Sequence, residues 1–379
     1  MKKIAYLDNS ATTKPCEKAI QNINFALTDN WGNPSSLYDF GFRAQTLVDD
    51  ARKTVADTLK CREDEIYFTA SGTESNNTAI IGAAESRKKR GRRIITTAIE
   101  HPSVLETTKK LQENGFEVIY LKPQSNGVIS LDDLKSVINH DTILVSIMLV
   151  NNEIGAIQPV KQVSQLIKES GAPALLHCDG VQAFGKMPIN LYDLGVDLFT
   201  ASGHKVHGPK GVGLLYIKKG VTIKPLLTGG GQEKNMRSGT ESVPLIYGLK
   251  GAIEQIGNIS ENYKAQKELW LYAKQELLDT KLVTINSSDE VLPYILNVSV
   301  EGYRSETLLH FLEAYGVYVS SGSACAKGEG SYVLNQIGLN RRRVDSALRI
   351  SFSRYSTKED VDMLKSALIA ATQKLRRSN

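Results

Sequence analysis

The chain predicts an α/β protein: a mostly parallel sheet covered by helices on both faces, joined to a smaller α+β domain. Three observations carry that reading. Short apolar runs alternate with helix-periodic segments between residues 44 and 220, the pattern of strand–helix–strand units. A long stretch over 243–278, rich in Lys, Glu, Leu and Ala, reads as helix and suits a spine between two domains. Beyond it, short strands and helices mix. At about 150 residues per domain, 379 residues make two or three domains, or one large and one small.

Taken in order, residues 44–59 set Leu47, Val48, Ala51, Val55 and Leu59 three or four apart, the stripe of an amphipathic helix. The run 65–70 reads as a strand, 74–90 as a helix and 93–98 as a strand. Residues 104–113 are helical and 117–121 extended. A strand over 142–150 precedes a helix near 160–169. Residues 175–178, 198–201 and 212–217 are extended. In the last part, 295–300, 317–320 and 347–352 read as strands, and 305–315 and 358–376 as helices. No internal repeat or low-complexity segment interrupts the pattern.

Composition excludes whole classes. With 41% hydrophobic and 23% charged residues, the chain is neither disordered nor collagen-like. A surplus of five positive charges on so large a surface does not argue for nucleic acid without clustering. The basic run Arg87-Lys88-Lys89-Arg90-Gly91-Arg92-Arg93 is better explained as a helix C-terminus, where cations meet the helix dipole. The same reading is applied to Arg341-Arg342-Arg343 and to Lys374, Arg376 and Arg377. The four cysteines, Cys16, Cys61, Cys178 and Cys325, form no C-x-x-C pair and no disulfide framework, and no metal site is expected. After Met1-Lys2-Lys3 the polar Asp8-Asn9-Ser10 leaves no room for a signal-peptide core. The longest apolar run, 143–150, is too short to cross a bilayer. The expectation is a cytoplasmic enzyme with no membrane and no direct nucleic-acid partner.

Three segments carry chemistry. Ser71-Gly72-Thr73-Glu74-Ser75 sits between a strand and a helix, where backbone N–H groups and hydroxyls suit a phosphate. An ordinary helix cap has the same composition. Ser202-Gly203-His204-Lys205, with the glycines after it, fits neither G-x-G-x-x-G nor the P-loop. A lysine at that strand end, with its pKa lowered by burial and nearby cations, can form an imine with a carbonyl cofactor. A solvated lysine in a turn is the plain alternative. Asp179, in His177-Cys178-Asp179-Gly180-Val181-Gln182, ends an apolar strand and could hold a pyridinium N–H, or could be a structural ion pair. The three in this order are more specific than any one alone.

Those motifs, together with Tyr6 to Thr13, Gly32 to Ser36, Glu100 to Ser103, Asn151 to Gly155, Arg237 to Glu241 and Ser321-Gly322-Ser323-Ala324-Cys325, resemble the cysteine desulfurases of the NifS/IscS type. These lie within the class-V aminotransferase family of fold-type I enzymes that use pyridoxal 5'-phosphate. The resemblance runs end to end. It implies a fold-type I transferase: a large α/β domain over 15–256 with a mostly parallel seven-stranded sheet, and a small α+β domain from 1–14 and 257–379 that carries the catalytic cysteine.

The resemblance also implies roles. Lys205 holds the cofactor covalently and then moves a proton. Asp179 pairs with the ring nitrogen, Gln182 hydrogen-bonds the ring oxygen, and His101 stacks on the ring and shuttles protons. Gly72, Thr73, Ser202 and His204 hold the phosphate, and Thr240 reaches the phosphate of a neighbouring subunit, which makes a homodimer. Asn152 and Arg349 bind the substrate carboxylate; Asn152 also touches the cofactor. Cys325 takes the sulfur as a persulfide. Its surroundings, small, polar and glycine-rich, describe an exposed loop rather than a core position, and Lys327 nearby favours the thiolate. Cys16 and Cys61 read as packing residues, and Cys178 as a buried wall of the site. His177 and His207 read as structural, and His140 and His310 as surface or packing residues.

The implied reaction converts L-cysteine to L-alanine and passes sulfur to an acceptor protein, either an iron–sulfur scaffold or a tRNA or cofactor thiolation enzyme. The Thr-Ser-x-Ser continuation common in iron–sulfur housekeeping enzymes is absent after Cys325, and so is the Arg-x-Gly-His-x-Cys pattern of the selenocysteine-lyase-like subgroup. The competing expectation on the same fold is another pyridoxal phosphate reaction: a transaminase, a selenocysteine lyase or a cysteine β-lyase.

Overall fold

A computed structural model describes residues 3–321 and 330–377. Its strands, in chain order, are β1 (Ala5–Tyr6), β2 (Ile66–Thr69), β3 (Arg93–Thr97), β4 (Glu117–Leu121), β5 (Thr142–Met148), β6 (Leu175–Asp179), β7 (Leu198–Ser202), β8 (Gly213–Ile217), β9 (Thr284–Ile285), β10 (Ile295–Ser299), β11 (Val317–Tyr318) and β12 (Ala347–Ser351). Seven of these form one sheet in the order β2-β8-β7-β6-β5-β3-β4. β8 runs antiparallel to both its neighbours, and every other pairing in the sheet is parallel.

Both faces of that sheet are buried, which is why its strands read as continuous apolar runs. Successive residues point to opposite faces. Leu176, Phe199 and Leu214 pack into one core with Val48, Val55 and Leu59 of the helix Asp39–Leu59. Their neighbours Leu175, Leu198 and Leu215 pack into another, against Ile80 and Ala83 of the helix Gly72–Arg87. A further cluster joins Ala5 and Leu7 to Trp270, Leu296, Leu308, Leu348 and Leu364. It covers the antiparallel sheet β12-β10-β9 and the parallel pair β1-β11.

The elements follow the sequence pattern with informative departures. The stretch over 243–278 is two helices, Val243–Glu254 and Ile259–Asp279, rather than one spine. Asn258 starts the second, its side chain accepting from the backbone N–H groups of Ser260 (3.0 Å) and Glu261 (3.3 Å). The helix Glu17–Thr28 carries no strong sequence signal because its inward residues are Ala19 and Ala26, while Ile20, Phe25 and Leu27 face outward. Arg341 opens the short helix Arg341–Asp345 rather than closing one; Asn340 caps it, and Arg343 reaches Ile285 O at 2.8 Å.

The carboxyl ends of the parallel strands define the working edge of the sheet, where ligands bind in open α/β folds. Asp179 ends β6 and Ser202 ends β7, while the segments that follow β2, β3 and β5 carry Ser71, His101 and Asn152. Gly180 turns the chain away from β6 directly over Phe199. A Cβ at 180 would lie 1.8 Å from that fully buried ring. Gly180→Ala is therefore expected to cost about 3 kcal/mol or more. Thermal melting checks this, and a variant as stable as the parent would contradict the packing described.

Candidate active site

A cavity of about 610 Å³ opens at that edge. Its floor is Asp179, held from two sides. Asn76 Nδ2 donates to Oδ2 at 2.7 Å and the Val181 N–H donates to Oδ1 at 2.9 Å. Asn76 is fixed in turn, its Oδ1 accepting from the Thr200 hydroxyl at 2.5 Å and its Nδ2 donating to Ser103 Oγ at 2.9 Å. The carboxylate is thus rigid and 6% exposed, with its open side toward the cavity.

Lys205 enters from the turn Gly203–Lys205 that follows β7. Its Nζ donates to the backbone oxygens of Ser10 (2.5 Å) and Ala11 (2.7 Å). Burial, and then the guanidinium of Arg349, bring its amine down to about 8. A lysine so placed is a usable nucleophile near neutral pH. In the protein without cofactor, amine-selective labelling of Lys205 should rise as pH passes through about 8, because the free amine forms there. Labelling that rises only near the ordinary lysine value, read by peptide mass analysis across a pH series, would contradict this environment.

His101 is the N-cap of the helix Pro102–Glu113. Its Nδ1 accepts from the Ser103 N–H at 3.1 Å, which leaves the proton on Nε2 of the neutral ring. Burial holds the imidazole below its usual value, so it is neutral at physiological pH. The cap fixes the ring at the cavity wall, where it can stack on a ligand or donate its Nε2–H to one.

The phosphate side is built from Ser71 to Thr73, Ser202 and His204. The helix Gly72–Arg87 points its N-terminus at the cavity, with Ser71 Oγ accepting from the Glu74 N–H at 3.1 Å. A Cβ on Gly72 would come within 2.8 Å of Val181 Cγ2, so glycine lets the backbone close in there. Ser202 Oγ is buried without a partner. His204 lines the same side, its Nδ1 at 3.2 Å from Thr12 Oγ1, and burial followed by Lys205 brings it down to about 4.

At the other side Arg349 and Asn152 meet. Arg349 donates to Asn152 O at 3.2 Å and pairs with Asp8 Oδ1 at 2.8 Å. Its Nε and the Asn152 Oδ1 are buried and unpartnered. Gln182 lines the wall between, its Nε2 donating to Ser10 O at 3.1 Å.

The structure therefore brings Gly72, Thr73, His101, Asn152, Asp179, Gln182, Ser202, His204, Lys205 and Arg349 to one cavity. Thr240 is not there; it lies exposed on a separate loop. That loop is tied to the phosphate side by Arg237, whose Nε pairs with Glu74 Oε1 at 2.9 Å. Cys325 lies outside the described residues. Sequence reasoning also left several wall residues without a role. Asp8, Ser10 and Ala11 lie inside the quoted Tyr6 to Thr13 motif, but Ser10 and Ala11 act through backbone carbonyls that residue type cannot reveal. Asn76 falls one position beyond the Ser71 to Ser75 motif. Glu153 lines the cavity, accepts from the Ser331 hydroxyl, and is pushed up to about 7 by burial.

The other histidines and cysteines take quieter places. His177 is fully buried beside Ser146 Oγ at 2.8 Å, and burial takes it down to about 3. His207 bonds to Lys14 O at 2.9 Å, and His140 and His310 are exposed. Cys16 and Cys178 are buried, burial raising the Cys178 thiol well above its ordinary value, while Cys61 is half-buried and pushed up to about 12. Among the described residues, no group of three or more His, Cys, Asp or Glu side chains is placed to hold a metal ion.

These residues fit pyridoxal 5'-phosphate. The unpartnered Ser10 Oγ, Asn152 Oδ1, Ser202 Oγ and Arg349 Nε surround the same space, an arrangement that calls for a polar ligand. One end is an anion cradle, the floor a rigid carboxylate, and the amine lies between.

The family model described as aminotransferase class-V matches residues 5–364. The chain is 43% identical over 378 residues to the "Cysteine desulfurase IscS" of Methanosarcina thermophila, covering 99% of this chain and 93% of that protein. It is 42% identical to the "Putative cysteine desulfurase IscS 1" of Bacillus subtilis, covering 94% of this chain and 95% of that one. Among solved structures, a "NIFS-LIKE PROTEIN" superposes with a TM-score of 0.93 at 40% identity, covering 98% of this chain and all of that one (100%). The structure titled "SspA in complex with cysteine" gives 0.83 at 32% identity, covering 93% of this chain and 100% of that one.

Proposed function

Since the chain belongs to the aminotransferase class-V family, and within it to the cysteine desulfurases, we propose that it uses pyridoxal 5'-phosphate to convert L-cysteine into L-alanine, with the sulfur taken up by Cys325. The observation that carries this reading is the convergence of Asp179, Lys205, His101 and the Ser71 to Thr73 helix start on one cavity.

When bound, the cofactor supplies an electron-accepting ring for charge released at the substrate's Cα. Asp179 holds the proton on the ring nitrogen that makes the ring an acceptor. Gln182 donates to the ring oxygen, and the His101 ring packs on the ring face. Gly72, Thr73, Ser202 and His204 bind the phosphate. Arg349, released from Asp8, and Asn152 bind the substrate carboxylate; a guanidinium fork suits that group. The Lys205 amine would move the substrate's Cα proton. The Cys325 thiolate then donates an electron pair to the substrate Sγ. An S–S bond forms, the Cβ–Sγ bond breaks, and Cβ keeps that pair and takes up a proton. Alanine leaves and no oxidant is required. The persulfide passes to an acceptor protein, an iron–sulfur scaffold or a thiolation enzyme.

The same reading makes the enzyme a homodimer in which Thr240 reaches the partner's phosphate. Thr240 is exposed, and Trp31, Leu37, Tyr38 and Phe42 leave an apolar surface of a kind that marks protein contacts. It also assigns 15–256 to a large cofactor-binding domain, and 1–14 with 257–379 to a small one. The cluster joining Ala5 and Leu7 to residues from Leu269 onward supports that division. No described helix is long and apolar enough to cross a membrane; a cytoplasmic location is part of this proposal.

Product analysis tests the reaction. With L-cysteine, alanine and enzyme-bound sulfur are expected in equal amounts. Pyruvate with free sulfide would mean β-elimination, and a keto acid that retains sulfur would mean transamination.

A further inference from the structure

We propose that Lys186 is a positioning residue that fixes which way the Gln182 amide faces, and so presents a donor rather than an acceptor to the cofactor's ring oxygen. The proposal rests on the cofactor reading above. Lys186 sits one helical turn after Gln182, in the turn that follows β6. Its side chain is buried, and its Nζ donates to Gln182 Oε1 at 3.1 Å. It is in no ion pair among the described residues, and its ammonium instead lies 5.9 Å from the centre of the Tyr294 ring. A buried amine without a counter-ion lowers stability, so packing alone does not account for it; a methionine would fill the space without that cost.

Its hydrogen bond has a directional consequence. An ammonium only donates, and a backbone carbonyl only accepts. Lys186 therefore demands the amide oxygen on its side, and Ser10 O demands the amide nitrogen on the other. A flipped Gln182 would face two like partners at once. In the observed orientation the second Nε2–H is available to the cavity. Ser10 O and Lys186 Nζ therefore hold the amide in the same sense from its two ends.

The charged surroundings are mainly cationic. Lys205, Arg349 and Arg354 face the same region beside His204 and His207, which burial keeps neutral, with Asp8 and Asp179 as the nearby carboxylates. Burial, then Lys205 and Arg349, bring the Lys186 ammonium down to about 7. The ammonium form, which only donates, holds the amide most firmly; the neutral amine still has N–H groups to donate but can also accept.

The test is a double-mutant cycle on the full chain, reading the dissociation constant for pyridoxal 5'-phosphate and the pH at which the bound cofactor's visible band changes. Lys186→Met and Gln182→Ala should each weaken binding about tenfold. Each should also move the band's transition to higher pH, because the anionic ring oxygen loses its donor. The double variant should be no worse than Gln182→Ala alone. The melting temperature of Lys186→Met should equal or exceed that of the parent. Losses that add, or a Lys186→Met protein that binds like the parent, would overturn the proposal. Gln182→Glu serves independently if Lys186→Met folds poorly. Its carboxylate pairs with Lys186 and turns an acceptor to the ring oxygen, so it should bind more weakly than Gln182→Ala. Binding equal to the parent's would overturn the proposal. A parent that does not bind pyridoxal 5'-phosphate would defeat the cofactor reading itself.

Discussion

Lys205→Ala should lose the visible band of the bound cofactor and lower turnover about 10³- to 10⁴-fold, the range for removing a positioned acid–base group. Two features make this loss large. Lys205 Nζ is held by the Ser10 and Ala11 carbonyls in the middle of the cavity, so no other described amine is placed to replace it. The nearest candidate, Lys186, is turned away onto Gln182 Oε1. Burial and Arg349 also bring the Lys205 amine to about 8, which an added amine in solution does not reproduce. Phosphate binding does not depend on Lys205, so the variant should still take up cofactor non-covalently. Absorbance, equilibrium dialysis and alanine release check the three parts. A Lys205→Ala enzyme that kept its band and rate would remove Lys205 from the reaction.

Asp179→Asn should fold, bind cofactor more weakly and lose about 10³-fold in turnover, the scale of a buried electrostatic contact made at the reacting group. The carboxylate accepts from Asn76 Nδ2 and from the Val181 N–H. An amide has one acceptor atom, so its NH₂ must face one of those donors, at a cost of about 1–3 kcal/mol. The larger effect is chemical: without the negative charge the ring nitrogen loses its proton and the ring its electron demand. The loss should therefore fall on kcat more than on KM. A variant that raised KM alone would show that Asp179 only holds the cofactor in place.

The strand and helix alternation was legible because both faces of the large sheet are buried along β5, β6 and β7, so those strands are mostly apolar. The working edge was legible for a related reason. Asp179, Ser202 and His101 are polar residues that interrupt or follow apolar runs, and a strand end is where such an interruption has a use. The helix Glu17–Thr28 was hidden because alanine faces the core while larger apolar residues face out. The break in 243–278 depends on one cap, Asn258, inside an otherwise helical composition. The grip on Lys205 comes from backbone carbonyls, which no side-chain pattern encodes. Asn76 and Lys186 act on other residues of the site, and a polar residue within a helix or turn gives no sign of what it faces.

The central claim is that sulfur leaves the substrate onto Cys325. Mass analysis of the peptide containing Cys325, after exposure of the holoenzyme to L-cysteine, tests it most directly. The account predicts one added sulfur atom on Cys325, removable by a thiol reductant and matched by an equal amount of alanine. In Cys325→Ser it predicts an enzyme that still binds cofactor, carries no added sulfur and releases little alanine. A Cys325→Ser enzyme that released alanine at the parent rate, or sulfur found on Cys16, Cys61 or Cys178 instead, would contradict it.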